Sequence, residues 1–332
     1  MKPHHLRLAA MVAFIAAVAL GAHVWNALTR PTIPAEHVIA LTVDKGDSFS
    51  QVTDKLIQHE AVAGSLYAWI AAKLLGAETR IKAGEYVLLG PMTTLRVLKE
   101  LIDGGGVLHR QTFFEGWTTR EILEALKKNP TVKKTENPLA RFGYSTAEEA
   151  EGACLPDTYK HYRGDPDYKI LELCIMAMRE TLEELWATRA SGLPYDNPRD
   201  ALILASIVEA ETTLHEERPE VAGVIISRLR KNMRLQTDPT VIYGLGPDFD
   251  NNLTRKHLRE DPAVNPYNTY RIYGLPPGPI CNPGRRSLEA ALQPDLETEN
   301  LYYVAVGDGS HYFSKTYEEH VKAVRKYQLG KK

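Results

Sequence analysis

Glu209 is the side chain whose setting in this sequence most favours acid chemistry. It closes the run Ala201-Leu202-Ile203-Leu204-Ala205-Ser206-Ile207-Val208, in which every position is apolar or small. Helical periodicity puts Ala205 and Ser206 above it and Thr212 and Thr213 below it on one face, while Glu211 points nearly the opposite way. A carboxyl that emerges from such a surface with only hydroxyls as helical neighbours is desolvated. Its pKa rises, and it stays protonated near neutral pH, as a general acid must. The plainer alternative is that Glu209 marks the wet end of a buried helix.

Two further segments carry groups that suit sugar recognition. Leu235-Gln236-Thr237-Asp238-Pro239-Thr240-Val241-Ile242-Tyr243-Gly244 places an amide, hydroxyls and a carboxylate ahead of a short apolar stretch. Asn265-Pro266-Tyr267-Asn268-Thr269-Tyr270 and Gly274 to Ile280 form a long irregular region rich in Asn, Tyr and Pro. Long irregular segments are usually kept for a surface or a site. Aromatic rings stack on pyranose faces and amides bond sugar hydroxyls; the plain reading is a structural loop packed by tyrosines. His311 and His320 are isolated, as surface or core histidines are. Cys154, Cys174 and Cys281 show no CxxC spacing, so zinc-finger and disulfide-scaffold readings fail. One bridge and one free thiol fit the count, and the sequence does not choose the pair. No ligand cluster calls for a metal or an organic cofactor.

The elements that must position these groups follow a clear order. Asn197 can cap a helix whose first position is Pro198, with Asp200 three residues after the cap. Before it, Asp167 to Ala187 is a long amphipathic helix. After it come a strand at Leu301 to Val306, a turn at Gly307-Asp308-Gly309, a strand at His311 to Ser314, and a helix capped by Thr316 with Glu319. Nearer the N-terminus, Val38 to Val43 alternate as an edge strand, Gly46 turns, and Ser48 with Gln51 caps a helix from Phe49 to Gln58. A helix follows at Leu66 to Leu75 behind Ser65, then a strand at Glu85 to Leu89 and a helix at Thr94 to Ile102, with a break at Gly104-Gly105-Gly106. About 70 residues on, Thr112 to Thr118 repeats the strand, glycine turn and cap of Thr42 to Ser48, with Glu121 in the role of Gln51. Residues 128 to 150 are polar, with prolines and clustered charges, and read as a linker ahead of a domain boundary.

Leu8 to Leu28 carries no Lys, Arg, Asp or Glu and is long enough to cross a ~30 Å hydrocarbon core as a helix. Lys2 and Arg7 precede it and Arg30 follows, which favours an N-terminus inside and the rest of the chain outside the cytoplasm. A cleaved signal peptide ending near Leu20-Gly21-Ala22 is the rival, though the apolar run continues past that site. The remaining 300 or so residues suit about two domains. With 40 basic against 42 acidic residues, no domain-scale positive field is present, and a nucleic-acid partner is excluded from the leading readings.

Val43, Gly46, Asp47, Leu56 and Ala83-Gly84-Glu85-Tyr86 resemble the LysM-type modules that bind N-acetylglucosamine-containing glycans. A longer resemblance runs through EG..LPDTY at Glu151 to Tyr159, ASIVEAET at Ala205 to Thr212 and LQTDPTVIYG at Leu235 to Gly244. It continues in YNTY at Tyr267 to Tyr270, GLPPGPI.NP at Gly274 to Pro283 and YYVAVGDGSHYFSKTYEEH at Tyr302 to His320. Together these strings resemble the membrane-anchored endolytic murein transglycosylases, the YceG-like family. Ala153-Cys154 departs from the bulkier apolar pair the family carries there.

The resemblance implies an α+β chain: a cytoplasmic tail at 1–7, a membrane helix at 8–28, a linker at 29–37, a LysM-like αβ glycan-binding region at 38–127, a linker at 128–150, and a mainly helical catalytic domain with a small β element at 151–329. It implies a lyase that cuts the β-1,4 bond between N-acetylmuramic acid and N-acetylglucosamine in nascent strands, leaves 1,6-anhydro ends, and limits strand elongation. Glu209 would be the acid, with Gln236, Thr237, Asp238, Tyr243, Asn268 and Tyr270 orienting the glycan. One carboxyl suffices because the muramyl C6 hydroxyl is the nucleophile, unlike the usual hydrolase pair. The expected partners are peptidoglycan strands, peptidoglycan synthases and the inner membrane, with the catalytic domain in the periplasm. A water-using muramidase with Asp238 or Glu211 as second carboxylate, and a non-catalytic glycan-binding scaffold, are the competing functions.

Overall fold

The computed structural model describes residues 3–104, 106–250 and 252–330. Met1, Lys2 and Gly105, named above, lie outside the described residues. The chain is a mixed helix and strand protein whose backbone falls into two compact units.

The first unit comprises residues 1–109 with 130–133 and 160–165. Its helix α1 (Pro3–Thr29) contains the apolar stretch Arg7–Thr29, of mean hydropathy 2.1, long enough to cross a membrane. The last turns of α1 pack on protein: Leu28 is buried in the unit's core and Val24 packs on it. Strand β1 (Pro31–Ile33) then pairs antiparallel with the short β4 (Met92–Thr93). Strand β2 (Val38–Val43) pairs antiparallel with β3 (Gly84–Leu89), from Val38 opposite Leu89 to Val43 opposite Gly84. Between them lie α2 (Phe49–Gln58), closed by the Ser48–Gln51 capping box, and α3 (Ser65–Leu75). Ser65, expected as the cap of α3, is its first residue; Gly64 takes the cap position without a side-chain bond. Helix α4 (Thr94–Asp103) starts behind the Thr93 cap and completes the core with Val97, Leu98 and Leu101.

The second unit comprises 110–129, 134–159 and 166–332. Strand β5 (His109–Thr112) pairs with β6 (Thr158–His161), and Gly116, at φ 80°, turns the chain into α5 (Thr119–Lys128). Both copies of the strand, glycine turn and capping box expected from the sequence are formed, since Thr118 and Glu121 close a box as Ser48 and Gln51 do.

Residues on both sides of position 150 belong to the second unit. Hydrogen bonding explains this. The Glu151 carboxylate accepts from the Thr119 backbone N–H (2.8 Å) and from Asn282 Nδ2 (3.2 Å), which holds the start of α5 to the body of the unit. A disulfide joins Cys154 to Cys174, and Cys281 is buried as a free thiol.

Helix α6 (Asp167–Ala187) brings Cys174, Met178 and Leu185 to the core. Helix α7 (Pro198–Glu211) is capped by Asn197 Oδ1, which accepts from Asp200 N at 3.0 Å. It is the central element, buried from Ile203 through Val208 and packed by α6, α8 (Arg218–Arg230), α9 (Asp238–Leu245) and α11 (Arg285–Leu292). Gly223 of α8 has no room for a side chain, because a Cβ there would lie 2.2 Å from the Asp295 carbonyl. A short α10 (Arg255–Leu258) precedes the Asn265–Tyr270 loop. The chain ends in the hairpin β7 (Tyr302–Ala305) and β8 (His311–Ser314), which α12 (Tyr317–Tyr327) covers.

Candidate active site

The C-terminal turn of α7 carries two glutamates in different surroundings. Glu209 is sealed in an ion pair: Arg218 Nη2 lies 2.8 Å from its Oε1, and the Gly284 N–H donates to its Oε2 at 2.9 Å. Their side chains are 5% and 3% exposed, and Glu115 Oε2 lies 3.6 Å from the same guanidinium. The expectation of hydroxyl neighbours alone is therefore corrected. Periodicity sees only one helix, and the cation comes from the start of α8. The nearby hydroxyls are engaged elsewhere, Ser206 donating to the Ile203 carbonyl and Thr212 to Glu217.

Glu211 opens on a cavity of ≈ 520 Å³, which Arg228, Gln236, Asp238, Tyr270, Tyr303 and His311 also line. Burial pushes its carboxyl pKa up to about 7, and the charge of Asp238 adds to this, against the opposing Tyr303 hydroxyl and Arg228. Each wall of the cavity is fixed by its own bonds. Tyr270 Oη donates to Asp238 Oδ1 at 2.6 Å. Arg228 is held by the carbonyls of Leu301 (2.7 Å) and Leu235 (2.5 Å) and lies over the Tyr302 ring. Glu217 accepts from the His311 backbone N–H and meets its Nδ1, both at 2.8 Å. Among the described residues no His, Cys, Asp or Glu group is arranged to hold a metal ion.

Of the six residues expected to orient substrate, Gln236, Asp238 and Tyr270 line this cavity. Gln236 reaches it from a left-handed backbone, φ 54°, at the entry to α9. Thr237, Tyr243 and Asn268 do not line it. Thr237 is buried in a hydroxyl cluster with Thr240 and Thr269. Tyr243 Oη donates to Glu151 Oε2 at 3.1 Å, and its ring packs on Tyr267. Asn268 is fully buried and donates to the carbonyls of His257 and Glu260. These three build the loop that carries Tyr270. Arg228 and the tyrosines of β7 are lining residues that no spacing in the sequence announces; His311 and His320, read as isolated, both line the cavity.

The model of the YceG-like family matches residues 41–326, which include Glu211 and most of the residues lining the cavity. The chain belongs to the YceG-like family. A similar protein from Bacillus subtilis (strain 168), named endolytic murein transglycosylase, is 32% identical over 317 residues, covering 88% of this YceG-like chain and 86% of that protein. One of the same name from Streptococcus pneumoniae (strain D39) is 29% identical over 292 residues, covering 76% of this chain and 52% of that protein, so the chain spans about half of that longer relative. A crystal structure of a yceG-like protein from Listeria monocytogenes is similar in fold, with a TM-score of 0.51 at 29% identity over 87% of this chain and 99% of that one.

Proposed function

We propose that this chain is an endolytic peptidoglycan transglycosylase, a lyase that cuts the β-1,4 bond between N-acetylmuramic acid and N-acetylglucosamine inside glycan strands. The names of its relatives support the substrate class. The observation that carries the chemistry is Glu211, a carboxyl poised near neutral pH in the cavity that gathers Gln236, Asp238 and Tyr270.

Glu211, rather than Glu209, is therefore our general acid. Protonated, it donates to the glycosidic oxygen as the bond to the muramyl C1 breaks. As carboxylate, it takes the proton from the muramyl C6 hydroxyl, whose oxygen closes on C1 to give the 1,6-anhydro end and regenerates the acid. A pKa near the working pH suits a group that must both give and take a proton. The nucleophile belongs to the substrate, so orientation by the cavity supplies much of the rate. Glu209 holds the buried Arg218 beside this turn. The test is the pair Glu211→Gln and Glu209→Gln: loss of cleavage with retained glycan binding in the first alone supports this assignment, and an active Glu211→Gln overturns it.

One observation favours a second reading. Asp238 lines the same cavity as Glu211, so the site holds the second carboxylate that a water-using muramidase needs. The chemical nature of the new chain ends separates the two.

The address we propose is the outer side of the inner membrane, with α1 as a single-pass anchor that keeps the site close to newly made strands and their synthases. The Cys154–Cys174 bridge supports export, because disulfides persist in oxidising compartments. The strand, two helices and strand from β2 to β3 support a LysM-like αβ module that grips glycan.

A further inference from the structure

Helix α3 is built inside out for a helix in water. Its buried face is Ala68, Ala71 and Ala72, while the large apolar residues Leu66 (60% exposed), Trp69 (49%) and Leu74 (66%) face outward. At ~100° per residue these three, with Lys73, lie on one face of the helix. A helix that is apolar all round belongs in a core or against lipid. No segment of the described unit covers this stripe.

The position of α3 along α1 supplies the occupant. Tyr67 Oη, in the first turn of α3, is hydrogen-bonded to His23 Nε2 at 2.9 Å. From Arg7 to His23 is sixteen residues of α1. That is ~24 Å of helix at ~1.5 Å per residue, inside a hydrocarbon core of ~30 Å. Tyr67 therefore lies within a few ångströms of the far membrane boundary, level with the exposed Trp25 two residues further along α1. Leu66 and Trp69 flank it on the outward stripe. Lys73, whose Nζ lies 5.5 Å from the centre of the Trp69 ring and 2.7 Å from Glu78, has the stem length to reach phosphates while its carbons stay in the stripe. An apolar stripe that carries a tryptophan and a lysine is what the interfacial layer favours.

We infer that α3 lies in the headgroup layer of the bilayer that α1 crosses, with Leu66, Trp69 and Leu74 in contact with lipid. This rests on the reading of α1 as an anchor. Two points of attachment fix the tilt and rotation of the first unit on the membrane, where one spanning helix alone leaves both free.

The test uses the full chain in phosphatidylethanolamine–phosphatidylglycerol vesicles whose acyl chains are brominated close to the headgroup. Bromine quenches tryptophan on contact, and Trp25 and Trp69 are read separately from the Trp69→Phe and Trp25→Phe chains. The double variant supplies the background of Trp117 and Trp186. The inference expects loss of emission from both Trp25 and Trp69, with a blue shift of the Trp69 band against detergent-free buffer. Quenching of Trp25 without Trp69 overturns the inference and leaves the anchor standing. Quenching of neither removes the anchor and the inference together.

Discussion

A carboxyl in a buried ion pair and a carboxyl whose pKa burial has raised respond to mutation in opposite ways, and α7 offers both. Glu209→Gln leaves the Arg218 guanidinium, 3% exposed, with only the more distant Glu115 at 3.6 Å as counter-charge, and breaking a buried pair costs up to about 3–5 kcal/mol. Urea unfolding should register that loss, whereas Glu211→Gln removes a carboxyl already strained by burial and should leave stability equal or higher. Glu151 gives a cleaner titration because it lies outside the cavity. Burial raises its carboxyl from 4.5 to about 7 despite the bonds from Thr119 and Tyr243. A folded pKa above the unfolded one means that the folded state binds the extra proton between these values. The contribution of Glu151 to stability is therefore greatest below pH 4.5 and falls as pH rises to about 7, by about 3 kcal/mol at ~1.4 kcal/mol per pH unit, then stays level. Glu151→Gln should remove that share of the slope, as melting curves from pH 5 to 8 would show; an unchanged slope contradicts it. At this scale the sequence supplied the helix and both glutamates, and periodicity put them on different faces. It could not say which face met the cavity. That is decided by Tyr303 and His311, on a hairpin some 90 residues away, and by Arg218 on α8.

Helices announced by their own capping residues, or like α6 by a long amphipathic pattern, were legible; two others were not. Helices α2, α5, α7 and α12 each begin with a side-chain cap that the sequence displays. Helices α8 and α11 have Glu217 and Gly284 at their cap positions with no side-chain cap bond, and no cap in the sequence announces either. The same limit applies to the loop of Asn265 to Tyr270. Its polar residues were recognised, but whether each faced a ligand or the backbone depended on partners such as His257 and Glu260. Cys154 and Cys174 are 20 residues apart, and closing a loop of that length is worth about 3 kcal/mol on a chain-entropy basis. Cys174→Ser should lower the unfolding midpoint, and reduction of the native chain should do the same without touching the buried Cys281. An unchanged midpoint under full reduction would show that packing of α6 alone holds this segment.

For the molecule as a whole, the apolar α1, the mixed helix and strand composition and the family strings were all readable from one sequence. The partition of the backbone was not, because residues 110–129 and 134–159 join the second unit through Glu151, Asn282 and Cys174 rather than through any local signal. The central claim is that one carboxyl, Glu211, runs an internal displacement with no water as nucleophile. Mass spectrometry of the ends made from uncrosslinked glycan strands tests it most directly. The account predicts 1,6-anhydro-muramyl ends from the native chain and from folded Glu209→Gln, and none from Glu211→Gln. Reducing muramyl ends from the native chain would contradict it, making water the nucleophile and Asp238 its activator.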